Sequence, residues 1–220
     1  MKTIIEKLIL QNNEKFKIDP SHILNIYKYG SRIYQTDNDN SDYDYIIIYD
    51  DITPSNTLII ESDGIIYNVT LITPEDFKMR LELNCIDMLE CVFLPDNLKY
   101  ETIKFDVNID LDKLRRSISA VCSNSFVKCK KKICQNDDYV GKKSLFHSLR
   151  IADLGIQLAK YGKIVDYTIP LSDTLKYESF KVLLDEVMTY NTWEELKDKY
   201  QNIANNLRSE FRIVAPLKED

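Results

Sequence analysis

No apolar run in this sequence approaches the ~20 residues that a membrane-spanning helix needs, so no membrane association is expected. The N-terminus, "MKTIIEKLILQNNEKFKID", has charges at Lys2, Glu6 and Lys7 around a short apolar stripe. It lacks a signal-peptide core and a small-residue cleavage site. It reads as an amphipathic helix over residues 3–16, and the protein is expected in a cytoplasm, its own or a host's. No CxxC pair occurs among the five cysteines, and only His22 and His147 could join them, so a zinc site is not expected. The cysteines read as reduced thiols packed as small hydrophobes. There is no internal repeat and no low-complexity tract. Nor is there an overall positive charge: the net charge of −6 argues against a general nucleic-acid coat.

What is present is the composition of a soluble globular chain, 44% apolar and 29% charged over 220 residues. "HILNIYKYG" reads as a strand ending at Gly30. "DYDYIIIYD" reads as a strand covered on both faces. "TLIIESDGIIYNVTLIT" reads as a hairpin turning at Ser62-Asp63-Gly64. "TPEDF" opens a helix with Thr73 as cap and Pro74 at its first position, and this helix is expected to run to about Phe93. "LPDNL" breaks it, and "KYETIKF" is a candidate edge strand. Asp110 caps a long helix, "QNDDYVG" is a loop, and "KKSLFHSLRIADLGIQLAKYG" is a second long helix ending at Gly162. Thr192 and Glu195 form a capping box for a last helix. The fold class expected is α+β: an α/β head with a short mixed sheet over residues 1–107, then an all-α helical bundle over 108–220.

Asp42 and Asp44 stand at the mouth of the apolar strand. A carboxylate there is costly to desolvate unless it is paired or holds a cation. Two positions apart on a strand, their side chains leave the same face. Hard oxygen donors so close suit Mg²⁺, which takes one or two protein carboxylates and completes its shell with water and phosphate. Gly30-Ser31 follows the preceding strand and is expected to open a short helix, whose N–H groups would face phosphate. Ser31 adds a hydroxyl. The ten residues Arg32 to Ser41 bring the aspartates beside this cradle. Together these residues make a nucleoside-triphosphate site.

"GSRIYQTDNDNSDYDYIII" resembles the nucleotidyltransferase superfamily related to DNA polymerase beta, whose pattern is Gly-Ser, a spacer of about ten, then Asp-x-Asp ending in an apolar strand. Gly30, Ser31, Asp42 and Asp44 match it residue by residue. The "GSR…SDYD" form looks like minimal bacterial and phage nucleotidyltransferases, including predicted enzymes associated with RNA ligases. The resemblance covers residues 24–48 closely and extends to about Phe77. It implies transfer of a nucleoside monophosphate from an NTP to a hydroxyl with release of pyrophosphate, assisted by two Mg²⁺ (or Mn²⁺) ions on Asp42 and Asp44. It also implies that Gly30 and Ser31 bind the phosphates, with Arg32 orienting the loop or the phosphates. Gln35 departs from the pattern, since relatives often have glycine there.

A larger departure concerns the third carboxylate that the superfamily carries on a later strand. Counting back from "TPEDF", its position falls on Asn68, which can give a metal a neutral oxygen but cannot accept a proton. Glu61 and Glu90 are the candidates to stand in for it. The alternative is a catalytically weak or inactive nucleotide-binding module of regulatory or antitoxin-like kind.

Between Lys113 and Arg150 there are ten Lys or Arg and two Asp, a local charge of +8 in a chain whose remainder carries −14. Such a segment suits a localised anionic ligand. Lys143, His147 and Arg150 share one helix face by their spacing. Lys143 and Arg150 are candidates to bind a triphosphate tail or an RNA backbone. An RNA end, including that of a tRNA, is the favoured acceptor. A protein hydroxyl, a small molecule such as an aminoglycoside, and a partner protein stay open. The helical half is similar to the HEPN domains that accompany minimal nucleotidyltransferases. Those that cut RNA place an Arg a few residues before a His, and neither histidine here has one, so no ribonuclease is expected.

Overall fold

The computed structural model describes Lys7, residues 18–51 and residues 57–217. The helix expected over 3–16 lies, Lys7 apart, outside the described residues. The fold is α+β, with a five-stranded mixed sheet and six α-helices among the described residues. The chain divides into two compact units. One comprises Met1–Ile33, Asp37–Glu82 and Asp87–Asn108; the other comprises Tyr34–Thr36, Leu83–Ile86 and Ile109–Asp220. Among the described residues no helix is long and apolar enough to cross a membrane.

The first unit holds strands β1 (Ile23–Tyr29), β2 (Tyr43–Tyr49), β3 (Thr57–Ser62), β4 (Ile65–Ile72) and β5 (Lys99–Glu101), in the order β3-β4-β2-β1-β5. Among the described residues only the β2–β4 pair is parallel. The β3–β4 hairpin turns through Asp63 (φ 52°) and Gly64 (φ 74°), the two successive positive angles of a primed turn. Tyr45 to Tyr49 are all buried, as the unbroken apolar run requires. One sheet face packs Ile26, Tyr45, Ile47, Tyr49, Val69 and Leu71 into a core. Against the other lies α1 (Pro74–Glu82), whose Phe77 stacks on Tyr27 with ring centroids 5.6 Å apart. Thr73 Oγ1 accepts from the Asp76 N–H and caps α1.

The helix expected to continue to Phe93 instead breaks. Asn84 takes a left-handed φ of 54°, which asparagine tolerates. A second helix, α2 (Ile86–Val92), starts after it. Asn84 contributes nothing to an apolar periodicity, so the pattern runs straight across it.

The second unit is built on α3 (Leu111–Ile133), α4 (Asp138–Tyr161), α5 (Phe180–Thr189) and α6 (Trp193–Val214). Asp110 caps α3 through the Asp112 and Lys113 N–H groups, and Thr192 with Glu195 forms the capping box of α6. Helix α4 is the axis of the unit: α3, α5 and α6 all pack on it, and Leu145, Leu149, Leu154 and Leu158 are sealed from solvent. It starts at Asp138, within the expected loop, because Gly141 is a contact glycine rather than a breaker. A Cβ there would sit 2.6 Å from Ile133 Cγ1, so the glycine lets α3 and α4 approach closely. Helix α5, which no sequence pattern announced, is capped by Ser179. Three of the five cysteines, Cys91, Cys122 and Cys129, are buried, and none is in a disulfide.

Candidate active site

The parallel pairing of β2 and β4 sets Asn68 directly across from Asp44. Asp42 lies one pleat earlier, just ahead of β2. The Asn68 amide donates from one nitrogen to both carboxylates, to Asp42 Oδ2 and, at 3.1 Å, to Asp44 Oδ1. Two anions that would repel each other are thereby held around a single donor atom. On the other side of β2, Tyr29 of β1 pairs with Asp44 and delivers Gly30 next to it. Gly30 adopts φ 78°, and a Cβ on it would stand 2.0 Å from Asp44 Oδ2. No other residue type fits at that position without displacing the carboxylate.

Gly30-Ser31 opens a turn rather than the expected helix. The Ile33 N–H bonds to the Gly30 carbonyl at 3.1 Å, and the turn ends at Gln35, whose φ of 55° stops helical propagation. The segment expected to face phosphate is therefore turn backbone with the Ser31 hydroxyl, without a helix terminus behind it.

Arg32 is a staple of the connector. Its guanidinium donates to the carbonyls of Asp42 (3.1 Å) and Ser41 (2.6 Å) and to Asp37 (3.0 Å), and it lies 3.7 Å over the Tyr43 ring. These contacts fix the approach of Asp42 to the sheet.

Each carboxylate lines a cleft of the first unit. One, of about 530 Å³, is lined by Asp44, Asn68, Thr70, Tyr29, Arg80 and Asp87 among others. The other, of about 380 Å³, is lined by Asp42, Ser41, Arg32 and the hairpin residues Gly64, Ile65 and Ile66. In the first cleft Asp87 of α2 pairs with Arg80 of α1. Burial holds its carboxyl above the ordinary aspartate range, against the lowering pull of Arg80. One turn further along α2, Glu90 is 2% exposed and accepts from the Tyr29 hydroxyl at 3.1 Å. Glu61 pairs with Ile66 on the same sheet face as Asn68 but lies exposed toward the hairpin turn. Tyr29, Arg80 and Asp87 carry no motif signal; only the helical step between Asp87 and Glu90 could have pointed to them.

Among the described residues no group of three or more His, Cys, Asp or Glu side chains is placed to hold a metal ion. The donor set of Asp42 and Asp44 nevertheless fits a hard divalent cation. Both carboxylates converge on one point, and a turned Asn68 amide would add a neutral oxygen to a shell otherwise completed by water and phosphate.

Lys143 and Arg150 belong to α4 of the second unit. The Lys143 ammonium lies 5.0 Å from the Tyr139 ring centroid. Arg150 is 3% exposed, stacks its guanidinium 3.5 Å over Tyr34 and donates to His147 Nδ1 at 3.2 Å. Burial, with the nearby charges of Arg150 and Lys128, pulls the His147 imidazole down to about 3. His147 is thus a neutral acceptor near neutral pH.

No family model matches the chain, and no curated protein matches it. Solved structures similar to it at low identity include the following three. A spectinomycin adenyltransferase from Enterococcus faecialis, solved with ATP and spectinomycin, is 12% identical over 94% of this chain and 96% of its own, with a TM-score of 0.49. An aminoglycoside 6-adenyltransferase from Bacillus subtilis is 12% identical over 98% and 93%, with a TM-score of 0.33. A nucleotidyltransferase-like protein from Exiguobacterium sibiricum is 13% identical over 96% and 74%, with a TM-score of 0.34.

Proposed function

We propose that the chain is a metal-dependent nucleotidyltransferase that moves a nucleoside monophosphate from an NTP to a hydroxyl, an RNA end for preference, and releases pyrophosphate. The observation that carries this reading is the meeting of Asp42 and Asp44 at one point, one pleat apart, with Gly30 held against Asp44 at the entrance to a Ser-bearing turn. Asp42, Asp44 and the Asn68 carbonyl would hold Mg²⁺ or Mn²⁺, which when bound would neutralise charge at the transferred phosphoryl group. Ser31 and the turn backbone orient the phosphate tail. Arg32 holds the connector so that Asp42 meets Asp44 on the sheet face. The cleft lined by Asp44 and the cleft lined by Asp42 leave room for donor and acceptor. The basic segment 113–150 supports RNA as the acceptor.

The test is pyrophosphate release from each NTP with Mg²⁺ or Mn²⁺ and total cellular RNA, beside Asp42→Ala/Asp44→Ala. Release that disappears in the double variant is the expected result, and the labelled product identifies the acceptor among RNA, protein and small molecules. A second reading, a nucleotide-binding regulatory module, is favoured by one observation: Asn68 occupies the place across from Asp44 where a base would act. That module would bind NTP with metal and release no pyrophosphate.

A further inference from the structure

A hydroxyl that attacks phosphorus must lose its proton, and neither Asn68 nor the paired Asp42 and Asp44 are free of other work to take it. We propose that the Tyr29–Glu90 pair is the proton acceptor, a base reached through a phenol instead of a carboxylate on β4. The proposal rests on the transferase reading above.

The geometry is specific. Tyr29 lines the cleft beside Asp44 and Asn68 and is the cross-strand partner of Asp44. Its hydroxyl donates to Glu90 Oε2 at 3.1 Å. Glu90 is 2% exposed, on a helix whose neighbouring carboxyl, Asp87, is tied to Arg80. A buried carboxyl bonded to a residue that lines the cleft demands an account, since burying it away from water is costly. Besides the Tyr29 hydroxyl, Glu90 interacts electrostatically with Asp87 and Cys91 of its own helix. Asp87 is engaged in its ion pair with Arg80, whereas Glu90 accepts from the Tyr29 hydroxyl.

The step balances without a co-reactant. The acceptor oxygen forms a bond to the α-phosphorus, and the bond from that phosphorus to the β-bridging oxygen breaks with its electron pair leaving on pyrophosphate. The acceptor proton passes to Tyr29 Oη as the phenolic proton passes to Glu90 Oε2. The phenol is neutral before and after the concerted transfer.

The experiment measures pyrophosphate release from all four NTPs with Mg²⁺ and total RNA, from acid to alkaline pH. Wild type is compared with Glu90→Gln, Tyr29→Phe, Asn68→Asp and Asn68→Asp/Glu90→Gln, and binding of ATP with Mg²⁺ is measured by calorimetry for each. Glu90→Gln and Tyr29→Phe are each expected to lower kcat by about 10²–10⁴-fold, the usual share of general-base help. ATP affinity should stay within about twofold, as expected when an interaction acts only in the transition state. Asn68→Asp/Glu90→Gln should recover rate relative to Glu90→Gln by supplying a direct base. Full activity in either single variant overturns the relay. Loss of ATP binding together with rate, unrescued by Asn68→Asp, makes Glu90 a structural residue and overturns it too. No release from wild type is a different outcome: it removes the transferase reading itself.

Discussion

Asn68 faces Asp44 across the parallel β2–β4 pair and gives it an N–H at 3.1 Å, while the same nitrogen serves Asp42. An amide in that place does what a third carboxylate could not do without a cation: it holds two carboxylates together. Asn68→Asp is therefore expected to act in opposite directions with and without metal. Without metal, two charge-assisted hydrogen bonds become like-charge contacts, and the first unit should lose roughly 1–3 kcal/mol. With Mg²⁺, the variant should melt higher relative to its own metal-free form than wild type does, by linkage to tighter binding. Thermal melts over a Mg²⁺ titration check both. An equal Mg²⁺ response in the two proteins would show that Asn68 does not border the ion.

Gly30 tests the same locus from β1. In Gly30→Ala the new Cβ meets Asp44 Oδ2 at 2.0 Å, and the backbone keeps a φ of 78° that alanine adopts at a cost of about 1–2 kcal/mol. The carboxylate must move, because backbone on both sides is pinned in the β1–β2 ladder. Metal-dependent ATP binding should fall by tenfold or more on an order-of-magnitude scale, while urea unfolding shows a loss of about 1–3 kcal/mol. Unchanged ATP affinity would place the phosphate site elsewhere.

How much of this was legible follows the range of the contacts. Gly30, Asp42 and Asp44 lie within one strand–turn–strand segment, so their spacing alone puts them side by side. Asn68 could be counted back from the helix cap at Thr73, and the structure sets it in register with Asp44. Tyr29 and Glu90 are separated by 61 positions, and their bond depends on how α2 is redirected after Asn84. Glu90 stands among the sequence's candidates for a substitute carboxylate, but nothing local announces its bond to Tyr29. Arg150 misleads in the other direction: its spacing with Lys143 reads as a basic face, yet its guanidinium lies buried over Tyr34. A helical wheel gives the side of a helix and not its depth.

Gln35 shows how a small departure from a pattern can be read once the backbone is known. The resembling family often has glycine there, and Gln35 is exposed with φ 55°. The left-handed region costs a side-chain-bearing residue about 1–2 kcal/mol, and glycine's extra freedom in the unfolded chain costs back about 0.5–1. Gln35→Gly should accordingly raise the urea midpoint by up to about 1 kcal/mol of stability with an unchanged slope. A lower midpoint would mean that the Gln35 side chain contributes a contact worth more than the strain.

The last prediction concerns acid and the second unit. Burial, with Arg150 and Lys128 nearby, pulls His147 from 6.5 to about 3. Between those values the unfolded chain binds a proton that the folded one does not, so stability grows with rising pH across this window and is lost as pH falls. Asp153 works in the opposite sense, since burial raises its carboxyl even though Leu171 and Ser172 donate N–H groups to it. A bare pH profile therefore mixes the two, and the comparison must be between wild type and His147→Gln, which keeps an acceptor for Arg150 but cannot titrate. From about pH 6.5 to 5, before most carboxylates protonate, wild type should lose up to about 2 kcal/mol more than the variant, the linkage of one proton over that span. Protonation would put a second cation beside the Arg150 guanidinium, 3.2 Å from His147 Nδ1. Parallel curves for the two proteins would mean that His147 reaches water and is charged in the folded unit.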